Sequence, residues 1–203
     1  MIKSAIRASI AVKNDLLADE NALAGIDRMA TACLHAIRSG GKVILCGNGG
    51  SFGDAQHISA EFTSRFMFDR DPLASIALGC NSSSMSAIGN DYGYDFVFAR
   101  ELTAVGGPND VLIAISTSGN SPNVLNAIRV ANEKQIPTIG LTGLNGGAMK
   151  ALCSCIQVPS NETARIQECH ILIGHVVCEI VEHAIFKKEA IVSKSQVNPS
   201  QII

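Results

Sequence analysis

The chain has 203 residues, 47% of them hydrophobic and only 17% charged, with a formal net charge of −2. That length suits one well-buried domain, and no linker-like stretch divides it. Its 16 basic residues are dispersed without a Lys/Arg block, which argues against nucleic-acid binding. Its charge-poor stretches are rich in Ser, Asn and Gly, so no membrane span is read.

Residues 3–19 and 21–39 both have helical periodicity, with Ile6, Ile10 and Leu17 on one stripe and Leu23, Ile26, Ala30, Leu34 and Ile37 on another. They predict a helical hairpin ahead of a sheet. Lys3, Arg7, Lys13 and Asp15 interrupt the first stripe, so it is not expected to be a secretion signal. Aliphatic runs then recur at 42–46, 73–78, 111–115, 137–141 and 154–158, with helical patterns at 51–66, 84–104, 121–134 and 163–188. Short continuous apolar runs that alternate with helices predict a parallel sheet buried on both faces. The last helix is apolar around most of its circumference, from Ile166 to Ile185, which together with the low charged share predicts an oligomer interface. Residues 190–203 lack periodicity and read as a tail.

Seven cysteines stand at positions 33, 46, 80, 153, 155, 169 and 178. An odd number set in apolar runs predicts reduced thiols and a cytoplasmic protein. Cys153 and Cys155 form the close pair. They read as neighbours on a buried strand, since no second Cys/His pair of zinc-site spacing accompanies them.

Two turns follow aliphatic runs and open helices: Cys46-Gly47-Asn48-Gly49-Gly50-Ser51 and Ser116-Thr117-Ser118-Gly119-Asn120-Ser121. Such turns place backbone N–H groups and hydroxyls where α/β proteins hold anions. In the second, Ser121 is expected to cap a helix whose first turn carries Pro122, and its hydroxyls suit a phosphate. In the first, Ser51 and Asp54 have capping-box-like spacing. The full dinucleotide glycine fingerprint and the Gly-Lys-Ser/Thr of a triphosphate loop are both missing, so a sugar phosphate fits better than a nucleotide.

His57 and Glu61 follow at i, i+4, a spacing that serves a shared divalent ion, a direct pair, or a plain surface pair. His175 lies inside an aliphatic stretch, where a satisfied core histidine is the ordinary reading. Gln167 lies eight positions before it, about 12 Å along an ideal helix and rotated by roughly 80°.

These residues carry a resemblance to the bacterial phosphoheptose isomerases of the SIS (sugar isomerase) domain group. It extends over roughly residues 3–188. It rests on the two turns, on Asp54-Ala55-Gln56-His57 with Glu61, on Gly89-Asn90-Asp91-Tyr92-Gly93, on Leu141-Thr142-Gly143 with Gly146-Gly147, and on Ala164-Arg165-Ile166-Gln167-Glu168 with His170 and His175. The resemblance implies a three-layer α-β-α SIS domain, residues 1–189, with a five-stranded parallel sheet and the N-terminal hairpin included. It also implies a homotetramer with active sites at subunit interfaces.

The implied reaction converts sedoheptulose 7-phosphate into D-glycero-D-manno-heptose 7-phosphate through an enediol(ate), for surface-polysaccharide synthesis. By the same resemblance Ser116, Thr117, Ser118 and Ser121 hold the phosphate. Asn48, Gly49, Gly50, Ser51, Asn90 and Asp91 line the sugar site, joined by Glu61 and Gln167. His57, Glu61, Gln167 and His175 ligate one Zn²⁺ per subunit, and Glu61 and His175 are the acid/base pair. Phe52 and the Asn81-Ser82-Ser83-Ser84 stretch depart from the family pattern. The alternative is a noncatalytic SIS protein that binds a sugar phosphate or a protein partner; such relatives lack the Glu61 and His175 equivalents.

Overall fold

Strands that are apolar on both faces need cover on both faces, and this requirement sets the architecture. In the computed structural model, whose described residues are 1–187, the strands are β1 (Val43–Gly47), β2 (Ser75–Ala77), β3 (Val111–Ile115), β4 (Thr138–Thr142) and β5 (Ser154–Gln157). They form one parallel sheet in the order β2-β1-β3-β4-β5. Val43, Leu45, Val111, Ile113 and Ile115 feed one core, against α1 (Ile2–Ala18), α2 (Glu20–Arg38), α3 (Gly50–Thr63) and α7 (Thr163–Glu182). Ile44, Cys46, Leu112 and Ala114 feed the other, against α4 (Ser82–Asp91), α5 (Val97–Val105) and α6 (Pro122–Glu133).

Strand order reverses at β1, which has β2 on one side and β3 on the other. Crossovers leave this point toward opposite faces, so a crevice opens beyond the carboxyl ends of β1 and β3. The two strands end level, with Gly47 paired to Ile115, and the two ligand-type turns therefore begin side by side.

Three helical expectations change. The N-terminal helices meet at Asp19, whose carboxylate accepts from Asn21 N and Ala22 N at 2.9 and 3.1 Å and so starts α2. The Ile6, Ile10 and Leu17 stripe of α1 faces outward, 52–69% exposed, and Leu16 is the residue that enters the core. Periodicity identified an apolar face without saying what covers it. The pattern at 84–104 splits into α4, a 3₁₀ turn at Tyr94–Phe96, and α5, because Gly93 adopts φ 91° and turns the chain between them.

Helix α7 continues as a π-turn over His183–Lys187. The segment Thr163–Phe186 is long and apolar enough by composition to cross a membrane. Its inward residues Ile166, Cys169, Ile173, Val177 and Val181 nevertheless belong to the first core. The expected tail, 190–203, lies outside the described residues.

Candidate active site

The serine turn grows directly from β3. Ser116 is buried and its N–H still pairs with Leu141 O at 3.0 Å, so it is fixed by the sheet. Its Oγ lies 3.0 Å from Ser121 Oγ and 3.5 Å from Ser118 Oγ, which brings three hydroxyls together at the start of α6. Ser121 does stand at the N-cap of α6, but its side chain caps no N–H and joins this hydroxyl cluster instead. First-turn N–H groups, hydroxyls and the helix dipole together suit a phosphate. Beside the turn, Thr117, Ser118, Asn120, Gly143, Asn145 and Ser160 help line a polar cavity of about 280 Å³.

The glycine turn departs from the capping-box expectation. Gly49, at φ 55°, is the N-cap of α3, which places Ser51 inside the first turn with its side chain buried. Asp54 caps nothing. Its Oδ2 is buried without a partner, and burial pushes the carboxyl up, partly offset by nearby His57. A β-carbon at Gly50 would meet the Gln167 amide, so glycine there lets that amide lie against the start of α3. This contact brings Gln167 from α7 to the start of α3.

Asn123, which the sequence did not single out, pairs with the predicted Asn48 and ties the two turns together. Asn48 Nδ2 donates to Asn123 Oδ1 at 2.8 Å while Asn123 Nδ2 donates to Asn48 Oδ1 at 2.9 Å. Asn123 Oδ1 also accepts from Val124 N, and Tyr94 OH donates to Asn48 Oδ1 at 3.1 Å. Asn123 is buried in the first turn of α6, so it holds the glycine turn against the serine turn. Nothing in its local sequence marks a partner 75 residues away.

Helices α3 and α7 pack together and bring three predicted residues to one point. His57 Nε2 lies 3.0 Å from His175 Nε2 and 3.2 Å from Glu61 Oε1, and all three ligand atoms fall within 4.8 Å of one another. His175 is half-buried, which corrects the core-histidine reading. Phe66 stacks on its ring at 5.4 Å and 25°. Tetrahedral ligands about 2.0–2.1 Å from a zinc ion would lie roughly 3.3 Å apart. The observed spacings of 3.0 and 3.2 Å come close to that, and the donor set of two imidazoles and a carboxylate is one zinc accepts.

Beneath this cluster lies a buried ion pair that the sequence also did not reveal. Arg70 and Glu182 have side chains 2% and 1% exposed, with Arg70 Nε 2.9 Å from Glu182 Oε1. Arg70 Nη2 donates to Glu61 O at 2.7 Å, and Nη1 donates to Phe62 O and Ser64 O, so the guanidinium gathers the end of α3. Glu182 accepts from Phe66 N at 3.0 Å and Met67 N at 2.8 Å, which sets the ring that rests on His175. Burial pushes the Glu182 carboxyl up, but these N–H groups and Arg70 outweigh it and hold the carboxyl low.

Asn90 and Asp91 stand apart at the end of α4. Asn90 Nδ2 donates to Asp91 Oδ1 at 2.8 Å, and both line an open groove of about 560 Å³ with Ser82, Ser83 and Ser86. The structure links this region to the glycine turn through Tyr94 alone among the contacts described above.

Comparison with known proteins places this geometry in context. Residues 9–143 match the model of the SIS domain. The chain is 53% identical over 189 residues to a phosphoheptose isomerase from Aneurinibacillus thermoaerophilus, covering 93% of this chain and 96% of that one. It is 53% identical over 188 residues to phosphoheptose isomerase 2 of Campylobacter jejuni, covering 92% and 94%. The solved structure of phosphoheptose isomerase GmhA from Neisseria gonorrhoeae superposes with a TM-score of 0.83 at 39% identity, covering 89% of this chain and 96% of that one.

Proposed function

We propose that this chain, which belongs to the SIS domain family and within it to the phosphoheptose isomerases, is an isomerase that interconverts sedoheptulose 7-phosphate and D-glycero-D-manno-heptose 7-phosphate. One observation carries the reading: His57, Glu61 and His175 converge within 4.8 Å, on the helix that leaves the glycine turn and the helix that crosses it. A binding protein needs the two turns but has no use for this cluster, so the noncatalytic alternative is not favoured.

Ser116, Thr117, Ser118 and Ser121 hold the phosphate, which anchors the far end of a seven-carbon chain. Asn48, Gly49, Gly50, Ser51, Asn90, Asp91 and Gln167 line the sugar. The isomerisation then requires a proton to leave carbon 1 of the ketose and another to arrive at carbon 2, with an enediol(ate) between. Glu61 and His175 share these transfers, one as base and the other as acid, and exchange roles for the reverse reaction. His57, Glu61, Gln167 and His175 would hold one Zn²⁺ per subunit, which when bound would supply Lewis-acid stabilisation of developing oxyanion charge. Gln167 reaches the sugar side because Gly50 leaves room for its amide.

Residues 1–189 act as one domain in this reading, and the protein works as a homotetramer with its sites at subunit interfaces. Support comes from the exposed Ile6, Ile10 and Leu17 of α1 and the exposed Leu172 and Ile180 of α7. An apolar groove of about 430 Å³ between α1, α2 and α7 adds to it. Free thiols at all seven cysteines fit a reducing cytoplasm. Incubation with a panel of ketose and aldose phosphates, followed by product identification, tests the assignment. Sedoheptulose 7-phosphate should give the aldoheptose phosphate, and turnover of another sugar alone would overturn it.

A further inference from the structure

The outer strand of the sheet carries a sulfur cluster that the isomerase chemistry does not use. Cys153 and Cys155 are not the buried-strand pair expected from sequence. Both are half-buried, Cys155 on the edge strand β5 and Cys153 in the bend just before it, with Sγ atoms 3.9 Å apart. Met149 brings a third sulfur, since a β-carbon on Gly140 of the neighbouring strand would lie 2.5 Å from Met149 Sδ and 2.9 Å from Cys155 Sγ. Glycine at 140 thus leaves a hollow that sulfur atoms fill. Cys153 Sγ lies 3.8 Å from the Met149 carbonyl, and Met149, Cys153 and Cys155 all pack into the same core, so the three side chains share one face of the sheet. They pack on the second core, across the sheet from the helices that carry His57, Glu61 and His175.

We propose that Cys153, Cys155 and Met149 form a binding site for a thiophilic cation, copper(I) being the best match. Two thiolates 3.9 Å apart, each bonded at about 2.3 Å, subtend roughly 116° at the metal, between the tetrahedral and trigonal values. Two thiolates with a thioether form the soft donor set that selects copper(I). A direct disulfide fits less well. Both thiols are free, and their Sγ atoms stand 3.9 Å apart, far beyond the S–S bond length of about 2.05 Å.

The test uses the reduced full-length chain, preloaded with Zn²⁺ and titrated with copper(I) against a chromophoric copper(I) chelator, then alkylated and mapped by peptide mass. Retention of one copper equivalent is expected, with alkylation of Cys153 and Cys155 slowed at least about tenfold while exposed Cys80 reacts unchanged. Cys153→Ser and Cys155→Ser should each weaken copper binding at least about tenfold, and Met149→Leu by less. Equal alkylation rates with and without copper(I) in the unmutated chain would overturn the proposal, whatever the variants do. So would full copper retention by the folded Cys153→Ser/Cys155→Ser double variant.

Discussion

Replacement of Arg70 by methionine tests how the cluster is held. The guanidinium makes one contact with Glu182 Oε1 at 2.9 Å and donates to four carbonyl oxygens, those of Glu61, Phe62, Ser64 and Asp71, at 2.7–3.2 Å. Methionine fills most of the volume but leaves the Glu182 carboxylate, 1% exposed, without its counter-charge. Loss of one member of a buried pair costs about 3–5 kcal/mol, which for a chain of this size lowers Tm by roughly 10 °C. Urea unfolding followed by circular dichroism measures the loss. Addition of Glu182→Leu should recover much of it, because two apolar groups then replace two charges. Turnover should fall in the single variant as well, since Arg70 holds the Glu61 carbonyl and Glu182 holds the backbone of Phe66. A cost below about 1 kcal/mol, or a double variant whose losses simply add, would mean that Arg70 and Glu182 are not coupled as a buried pair.

Three further outcomes follow from individual groups. His170 is fully buried, and burial pushes its imidazole down to about 4, slightly opposed by the Thr142 carbonyl. The unfolded chain therefore takes up the proton first, and stability should fall as pH drops from about 6.5 to about 4, by up to about 3 kcal/mol; His170→Gln should flatten that slope in urea titrations, and an unchanged slope would exclude His170 as its cause. Ser121→Ala removes a hydroxyl from the Ser116 cluster and should raise KM for the sugar phosphate roughly 10- to 100-fold, the worth of a hydrogen bond to a charged group, with a smaller effect on kcat. Ile180→Glu places a charge on the exposed apolar face of α7 and should shift the assembly to smaller species in analytical ultracentrifugation, whereas unchanged sedimentation would remove that face from the interface.

Much of the crevice was legible because its signals are local. Continuous aliphatic runs marked β1 and β3, and glycine, serine and proline at fixed offsets marked the turns that follow them. The i, i+4 spacing by itself puts His57 and Glu61 on one face of α3. The packing of α3 on α7 leaves no mark in spacing, so position alone reads His175 as core; only the family resemblance joins it to His57, whose Nε2 lies 3.0 Å from its own. Asn123 and the Arg70–Glu182 pair act across 75 and 112 residues of chain, distances over which periodicity carries no signal. The break at Gly93 was hidden because apolar spacing resumes at Val97, Phe98 and Leu102. Ser51 and Ser121 both look like caps, yet backbone geometry turns one inward and leaves the other to its neighbour Ser116.

Acid/base isomerisation at the His57–Glu61–His175 cluster stands or falls on the Glu61 carboxylate. Glu61→Gln keeps the shape of the side chain and removes the carboxylate, so it isolates that chemistry. Conversion of sedoheptulose 7-phosphate by this variant, measured alongside its assembly state, should fall by at least about a thousandfold while the oligomer stays intact. Conversion at the unmutated rate by an intact Glu61→Gln assembly would exclude Glu61 from the proton transfers.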